Sequence, residues 1–137
     1  MPSSTRVGFT LLELLVVVAI IGLLAGYVGP RYFGQIGKAE VKAARAQMDA
    51  LEKALDAYRL DVGRFPGSDL GLEALVVRPQ GVAKWGGPYL KKGVPLDPWG
   101  QPYRYQSPGE HGEFDLVSLG RDGKPGGSGE DADITSW

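Results

Sequence analysis

Between Phe9 and Gly29 the chain runs for 21 residues with one acidic or basic side chain, Glu13. A helix rises about 1.5 Å per residue, so this run reaches roughly 31 Å, close to the ~30 Å hydrocarbon thickness of a bilayer. It reads as a membrane-spanning helix. The next stretch is of a different kind: Arg31 to Arg64 carries seven basic and five acidic side chains, so the two segments suit two solvents. Ahead of the span lies the polar leader Met1–Gly8, with Arg6 as its only charged side chain. The leader has the character of a signal n-region, but the apolar run is long and passes directly into a charged helical pattern, which disfavours cleavage near Ala25 and Gly26. The positive-inside tendency keeps the leader cytoplasmic and sends the remainder outward, with Arg31 and Lys38 acting against it. The expected organisation is a leader over residues 1–8, a span over 9–29 and an exported domain over 30–137.

Glu13 is the residue this organisation must explain. A carboxylate among leucines and valines costs a few kcal/mol at the centre of a bilayer and less near its edge. One reading tolerates it at the interface. The other gives it a cationic partner, which no nearby side chain of this chain supplies and a second subunit does.

Composition removes several classes of function. With no cysteine and one histidine, His111, the chain lacks the material for zinc clusters, Cys/His nucleophile pairs, thiol redox motifs and disulfides. Fifteen basic residues against sixteen acidic ones leave no broad positive field for nucleic acid. His111 lies in a glycine-flanked loop and gives a membrane-anchored hydrolase little support.

Beyond the span, Gly29-Pro30 predicts a kink or a melted turn. The helix then resumes, with Val41, Ala44, Met48, Leu51, Leu55, Tyr58 and Val62 recurring at spacings of three and four. This stripe needs an apolar cover, which the C-terminal half of the same chain is expected to supply. On the polar side, Arg45–Asp49 and Asp49–Lys53 are opposite charges four apart. Glu52 and Asp56 are like charges at that spacing. Either Lys53 and Arg59 relieve them locally, or Lys91 or Lys92 of an adjacent subunit does.

Gly63 to Gly67 ends the helix, and Ser68 or Asp69 is expected to cap a short second one through Leu72, Leu75 and Val76 to Arg78. The aromatics of 84–103 suit a ligand groove or, with prolines fixing the backbone, plugs on the edge of a small core, and the second is the expected role. Tyr103–Gln106 and Phe114–Leu119 read as two short strands of a hairpin. From Glu110 to the end there are seven acids and two bases among many glycines. That composition suits a flexible acidic tail, or a hard-cation site built from Asp122, Asp131, Asp133 and backbone carbonyls. The spacing from Asp122 to Asp133 only faintly matches an EF-hand, and Lys124 and Gly126 stand where acids are needed.

Gly8-Phe9-Thr10-Leu11-Leu12-Glu13, followed by the apolar run, resembles the cleavage and methylation motif of type IV prepilins and type II secretion pseudopilins. The resemblance implies that a prepilin peptidase cuts between Gly8 and Phe9 and methylates the new amine, which changes the formal charge from −1 to −2. It also implies that Glu13 pairs with the Phe9 amine of a neighbouring subunit, so that a buried charge rewards correct stacking. Further along, Pro95-Leu96-Asp97-Pro98-Trp99-Gly100, the stretch 114–120 and the closing stretch 131–137 are similar to the protein G family of major pseudopilins. The likeness covers nearly the whole chain. It implies an α+β pilin-like fold: a long N-terminal helix, first half transmembrane and second half packed on a small antiparallel sheet, then a short helix and a calcium-bound loop. By motif position the Ca2+ ligands are the side chains of Asp122, Asp133 and Asp131 and backbone oxygens of Leu119, Lys124 and Ser128. The implied role is non-enzymatic: an inner-membrane subunit with a periplasmic domain, added by an assembly platform to a helical homo-oligomer, alongside minor pseudopilins, that exports folded proteins. A type IV pilin, a minor pseudopilin and an anchored calcium-dependent binding module are the alternatives.

Overall fold

The computed structural model describes residues 8–137, apart from the side chains of Tyr32 and Phe33. Residues 1–7 of the leader, with Arg6, lie outside the described residues. The fold is α+β. One helix, α1 (Leu11–Val62), is followed by a 3₁₀ turn at Leu72–Leu75, strands β1 (Arg104–Gln106) and β2 (Asp115–Ser118), a 3₁₀ turn at Gly129–Asp131 and strand β3 (Ile134–Thr135). The chain divides into two compact units after Gly37.

In the first unit, α1 is long and apolar enough to cross a membrane by length and composition. Its leucines, valines and isoleucines lie open, with Leu11 and Leu23 at least three-quarters exposed. A contiguous apolar surface of this extent needs a cover other than water. The helix runs unbroken through Pro30, so the melted turn expected there does not form. Proline removes one amide donor, and the cooperative ladder on either side carries that single loss.

In the second unit the apolar stripe of α1 is buried as its spacing demands. Ala44, Leu51 and Leu55 are fully buried, and Met48 and Tyr58 nearly so. The cover is Leu72, Ala74 and Leu75 from the first 3₁₀ turn, Tyr103, Leu116 of β2 and Ile134 of β3. Burial of each such leucine contributes about 1.5–3 kcal/mol. The Tyr103 hydroxyl donates to Gln47 Oε1 on α1, and burial, then the charge of Asp97, pushes this phenol up to about 12. Trp85, Tyr89 and Trp99 pack against the core rather than lining a groove. Trp85 Nε1 donates to the Ala74 carbonyl at 2.7 Å, and the Tyr89 hydroxyl donates to Asp61 at 2.7 Å.

The sheet is antiparallel in the order β1-β2-β3. Tyr105 faces Leu116, and Val117 lies between Arg104 on one side and Thr135 on the other. The hairpin agrees with the sequence pattern to within a residue or two. The second α-helix does not form. Only the 3₁₀ turn Leu72–Leu75 appears, opened by Gly71 at φ +64° without a side-chain cap. Ser68 is occupied elsewhere, since its hydroxyl donates to the Ser107 carbonyl and accepts the Ser107 N–H at 2.8 Å.

Candidate functional site

The amino-terminal motif is built around a reciprocal cap. Residues 8–10 lie outside the helix, and α1 starts at Leu11. The Glu13 N–H donates to Thr10 Oγ1 at 3.1 Å, while the Thr10 N–H donates to a Glu13 carboxylate oxygen at 3.4 Å. This is a capping box, and its Thr-x-x-Glu signature stands in the sequence, where the cationic-partner argument passed over it. The cap turns the Glu13 carboxylate back toward the start of the chain, next to Phe9. The side of Gly8 is open, with nothing within 4 Å of the position a Cβ would take, and Phe9 is 81% exposed. The Gly8–Phe9 bond is therefore accessible from the helix end. One amide, the Thr10 N–H, donates to the carboxylate, and among the described residues no cation pairs with it.

A second acidic feature lies on α1. Of the two expected i,i+4 pairs, the one formed joins Asp49 to Lys53 at 2.9 Å. Arg59 reaches across to Glu113 at 2.7 Å and lies over the Phe65 ring. Both cations that were candidates to relieve Glu52 and Asp56 are thus engaged elsewhere. Partial burial, then the charges of Asp49 and Asp56, hold the Glu52 carboxyl above its usual range. Glu52 lines a shallow groove with Arg45, Met48, Asp49, Ile134 and Thr135, between α1 and β3. Lys91 and Lys92 are exposed.

The acidic loop after β2 is ordered by contacts rather than by a core. Arg121 Nε and Nη2 contact the two Asp131 carboxylate oxygens at 3.0 and 3.3 Å, and Nη1 contacts Glu130 at 2.9 Å. Gly120 sits at φ +74°, and a Cβ there would lie 2.7–2.9 Å from the backbone of residues 130–132. The two ends of the loop are pressed together at a point only glycine fits. Lys124 N–H donates to Asp122, and Gly126 N–H donates to Asp133 Oδ2 at 3.1 Å. Asp133 Oδ1 is buried without a hydrogen-bond partner. An orphaned buried carboxylate oxygen is costly unless something cationic meets it. Among the described residues no three His, Asp or Glu side chains are grouped to hold a metal by themselves, so a cation here depends on backbone oxygens as well. The donor set of the loop, carboxylates with a glycine-rich backbone, is that of a hard cation. Of the acids predicted from the sequence, Asp122 and Asp133 engage only loop amides, whereas Asp131 is held by Arg121.

His111, the lone histidine, is exposed. Its ring stacks on Trp137 at 3.8 Å between centroids, and Nδ1 lies 3.1 Å from Asp115. No nucleophile hydrogen-bonds to its ring among the described residues.

Comparison with known proteins agrees with these features. Residues 31–137 match the family model "Type II secretion system (T2SS), protein G", and residues 8–28 match "Prokaryotic N-terminal methylation motif". The chain is 49% identical over 134 residues to the type II secretion system core protein G of Pseudomonas aeruginosa, covering 95% of this chain and 94% of that one. It is 47% identical over 135 residues to its counterpart in Vibrio cholerae, covering 96% and 92%. Among solved structures it is similar to the major pseudopilin from the type 2 secretion system of enterohaemorrhagic Escherichia coli. That match has a TM-score of 0.63 and 35% identity, and covers 77% of this chain and 92% of that one. With a long helix capped at a Gly-Phe-Thr-Leu-Leu-Glu start, a three-stranded sheet and these relatives, the chain belongs to the protein G family of the type II secretion system, the major pseudopilins.

Proposed function

We propose that this chain is the major structural subunit of a periplasmic pseudopilus, stored in the inner membrane through the first part of α1 and polymerised after removal of residues 1–8. It acts by packing, not catalysis. The observation that carries the reading is the arrangement at the helix start, where Thr10 and Glu13 form a reciprocal cap directly after the exposed Gly8 and Phe9. A prepilin peptidase cuts that bond and methylates the Phe9 amine. The cut creates a cation at the end of each subunit, and one amide does not neutralise Glu13. In a low-dielectric filament core the Phe9 amine of one subunit and Glu13 of the next stabilise each other, and a misplaced subunit leaves both charges unpaired. Monomers rest in lipid, and an assembly platform adds them, with minor pseudopilins, to a filament that drives export of folded proteins.

The outer domain supplies the lateral contacts. Among the described residues no cation pairs with Glu52 or Asp56, so Lys91 or Lys92 of a neighbouring subunit is their proposed partner. Ca2+ is the proposed stiffener of the acidic loop, with Asp122 and Asp133 as carboxylate ligands and backbone oxygens of Leu119, Lys124 and Ser128 completing the set. Asp131 also belongs to the set, and its use requires release from Arg121. Bound there, Ca2+ supplies a positive charge that offsets the acids and cross-links the two ends of the loop. The orphaned Asp133 Oδ1 supports this reading.

The test is the mass of the mature amino terminus from cells carrying the secretion system. A chain beginning at N-methylated Phe9 is expected; a chain retaining Met1 in the membrane overturns the proposal.

A further inference from the structure

The chain carries a buried carboxylate that none of the preceding roles uses. Asp97 is 4% exposed. Its Oδ1 accepts the N–H groups of Trp99 at 3.1 Å and Gln101 at 2.8 Å, and its Oδ2 accepts the Ser118 hydroxyl at 2.9 Å. The backbone closes the same turn. Asp97 N–H donates to the Gln101 carbonyl, Gly100 N–H donates to the Asp97 carbonyl, and Leu96 bridges to Pro102. The turn 97–101 is therefore organised around one side chain, and its spare oxygen is committed to the last residue of β2.

Ser118 passes the connection on. It is fully buried, and its Oγ accepts the N–H of Gly120 at 3.4 Å. Gly120 is the pinch point where a Cβ would collide with the backbone of 130–132, and Asp122 follows two residues later. Gln101, at the far side of the turn, has side-chain atoms within 3.9–4.0 Å of the position a Gly123 Cβ would take. The turn is thus linked to the acidic loop at Gly120 through a hydrogen-bond relay, and the Gln101 side chain approaches Gly123. All of the donors to Asp97 are neutral, so the arrangement holds the carboxyl in place for its geometry.

We infer that Asp97 is a positioning residue for cation binding by the acidic loop, acting through Ser118 on the Leu119–Gly120 backbone from which the loop departs. The inference rests on the Ca2+ reading of that loop. Removing a group that orients a metal ligand weakens the metal by about 10–100-fold, so Asp97→Asn and Ser118→Ala should each raise the Ca2+ Kd by roughly tenfold or more. Asparagine keeps the acceptor for Trp99 and Gln101 and reverses the polarity toward Ser118. The double variant should cost little more than the single ones, because both cut one relay.

The experiment is calorimetric titration of Ca2+ into the full chain in detergent micelles, for wild type and the three variants, with melting curves in chelator beside it. A purely structural role lowers the chelator melting temperature and leaves Kd unchanged in the variants that fold, which overturns the inference. Should the variants not fold, amide shifts of wild type decide: Trp99 and Gln101 must move with Asp122 as Ca2+ is added, and a silent turn overturns it. Wild type that binds no Ca2+ defeats the calcium reading itself, an outcome distinct from binding that ignores Asp97.

Discussion

Replacing Asp133 by alanine should have opposite meanings with and without calcium. In the structure this carboxylate accepts one amide, Gly126 N–H, and leaves Oδ1 buried and unpartnered. Loss of a hydrogen bond to a charged acceptor costs about 1.5–3 kcal/mol, while removal of a buried unsatisfied oxygen returns about 1–3 kcal/mol. In chelator the two nearly cancel, and Asp133→Ala should lie within about 1 kcal/mol of wild type. With Ca2+ at a hundred times its Kd, wild type gains about 2.7 kcal/mol that the variant forfeits. For a unit the size of Lys38–Trp137, each kcal/mol moves Tm by about 4–8 °C. Calorimetric scans of the full chain in micelles should therefore show a calcium shift of about 10–20 °C in wild type and almost none in the variant. A variant that keeps the full shift, or a wild type without one, refutes the assignment of Asp133.

Other perturbations test other links. Glu52 has a raised carboxyl pKa in the fold, from burial first and then Asp49 and Asp56. A raised acid binds its proton more tightly when folded, so its ionisation removes stability as pH climbs from its ordinary value of 4.5 through the folded value. Glu52→Gln should thus raise the monomer Tm at pH 7, with the gain shrinking below about pH 4.5, while reducing filament yield; a monomer destabilised at pH 7 contradicts the pKa direction, and unchanged yield contradicts the intersubunit role. Gly120→Ala combines φ +74° with backbone atoms at 2.7–2.9 Å, and should cost about 2–4 kcal/mol by chemical denaturation; a loss under 1 kcal/mol would mean that the loop ends are not pressed together.

Much of this molecule was legible before its coordinates. The stripe from Val41 to Val62 follows from helical periodicity, and the core forms on those side chains because they are the longest apolar face outside the span. The hairpin was legible because Tyr103–Gln106 and Phe114–Leu119 are short runs rich in aromatic and branched residues, bounded by glycine and proline. The second helix was not, because its capping signals are ambiguous: Ser68 resembles an N-cap, and only the fold brings Ser107 within its reach. Strand β3 is two residues long, too short for a period, and its pairing is set by β2. The order of the acidic loop escaped composition for a similar reason, since Arg121 holds acids nine and ten residues away. The capping box at Thr10 was legible in principle, because it is local and has a fixed spacing. The turn at Asp97-Pro98-Trp99-Gly100 was legible as turn chemistry, but its tie to Ser118 was not, because that partner is 21 residues away.

The central claim is that an ionised Glu13 in an apolar helix is what makes a processed subunit stable only beside another. The most direct measurement is filament formation by Glu13→Gln in cells carrying the assembly machinery, scored by electron microscopy after confirming that the amino terminus is cut and methylated. Glutamine keeps the size of the side chain and an oxygen for the Thr10 amide, and removes only the charge. The account predicts processed subunits that remain in the membrane as monomers; normal filaments from the same processed chains would contradict it.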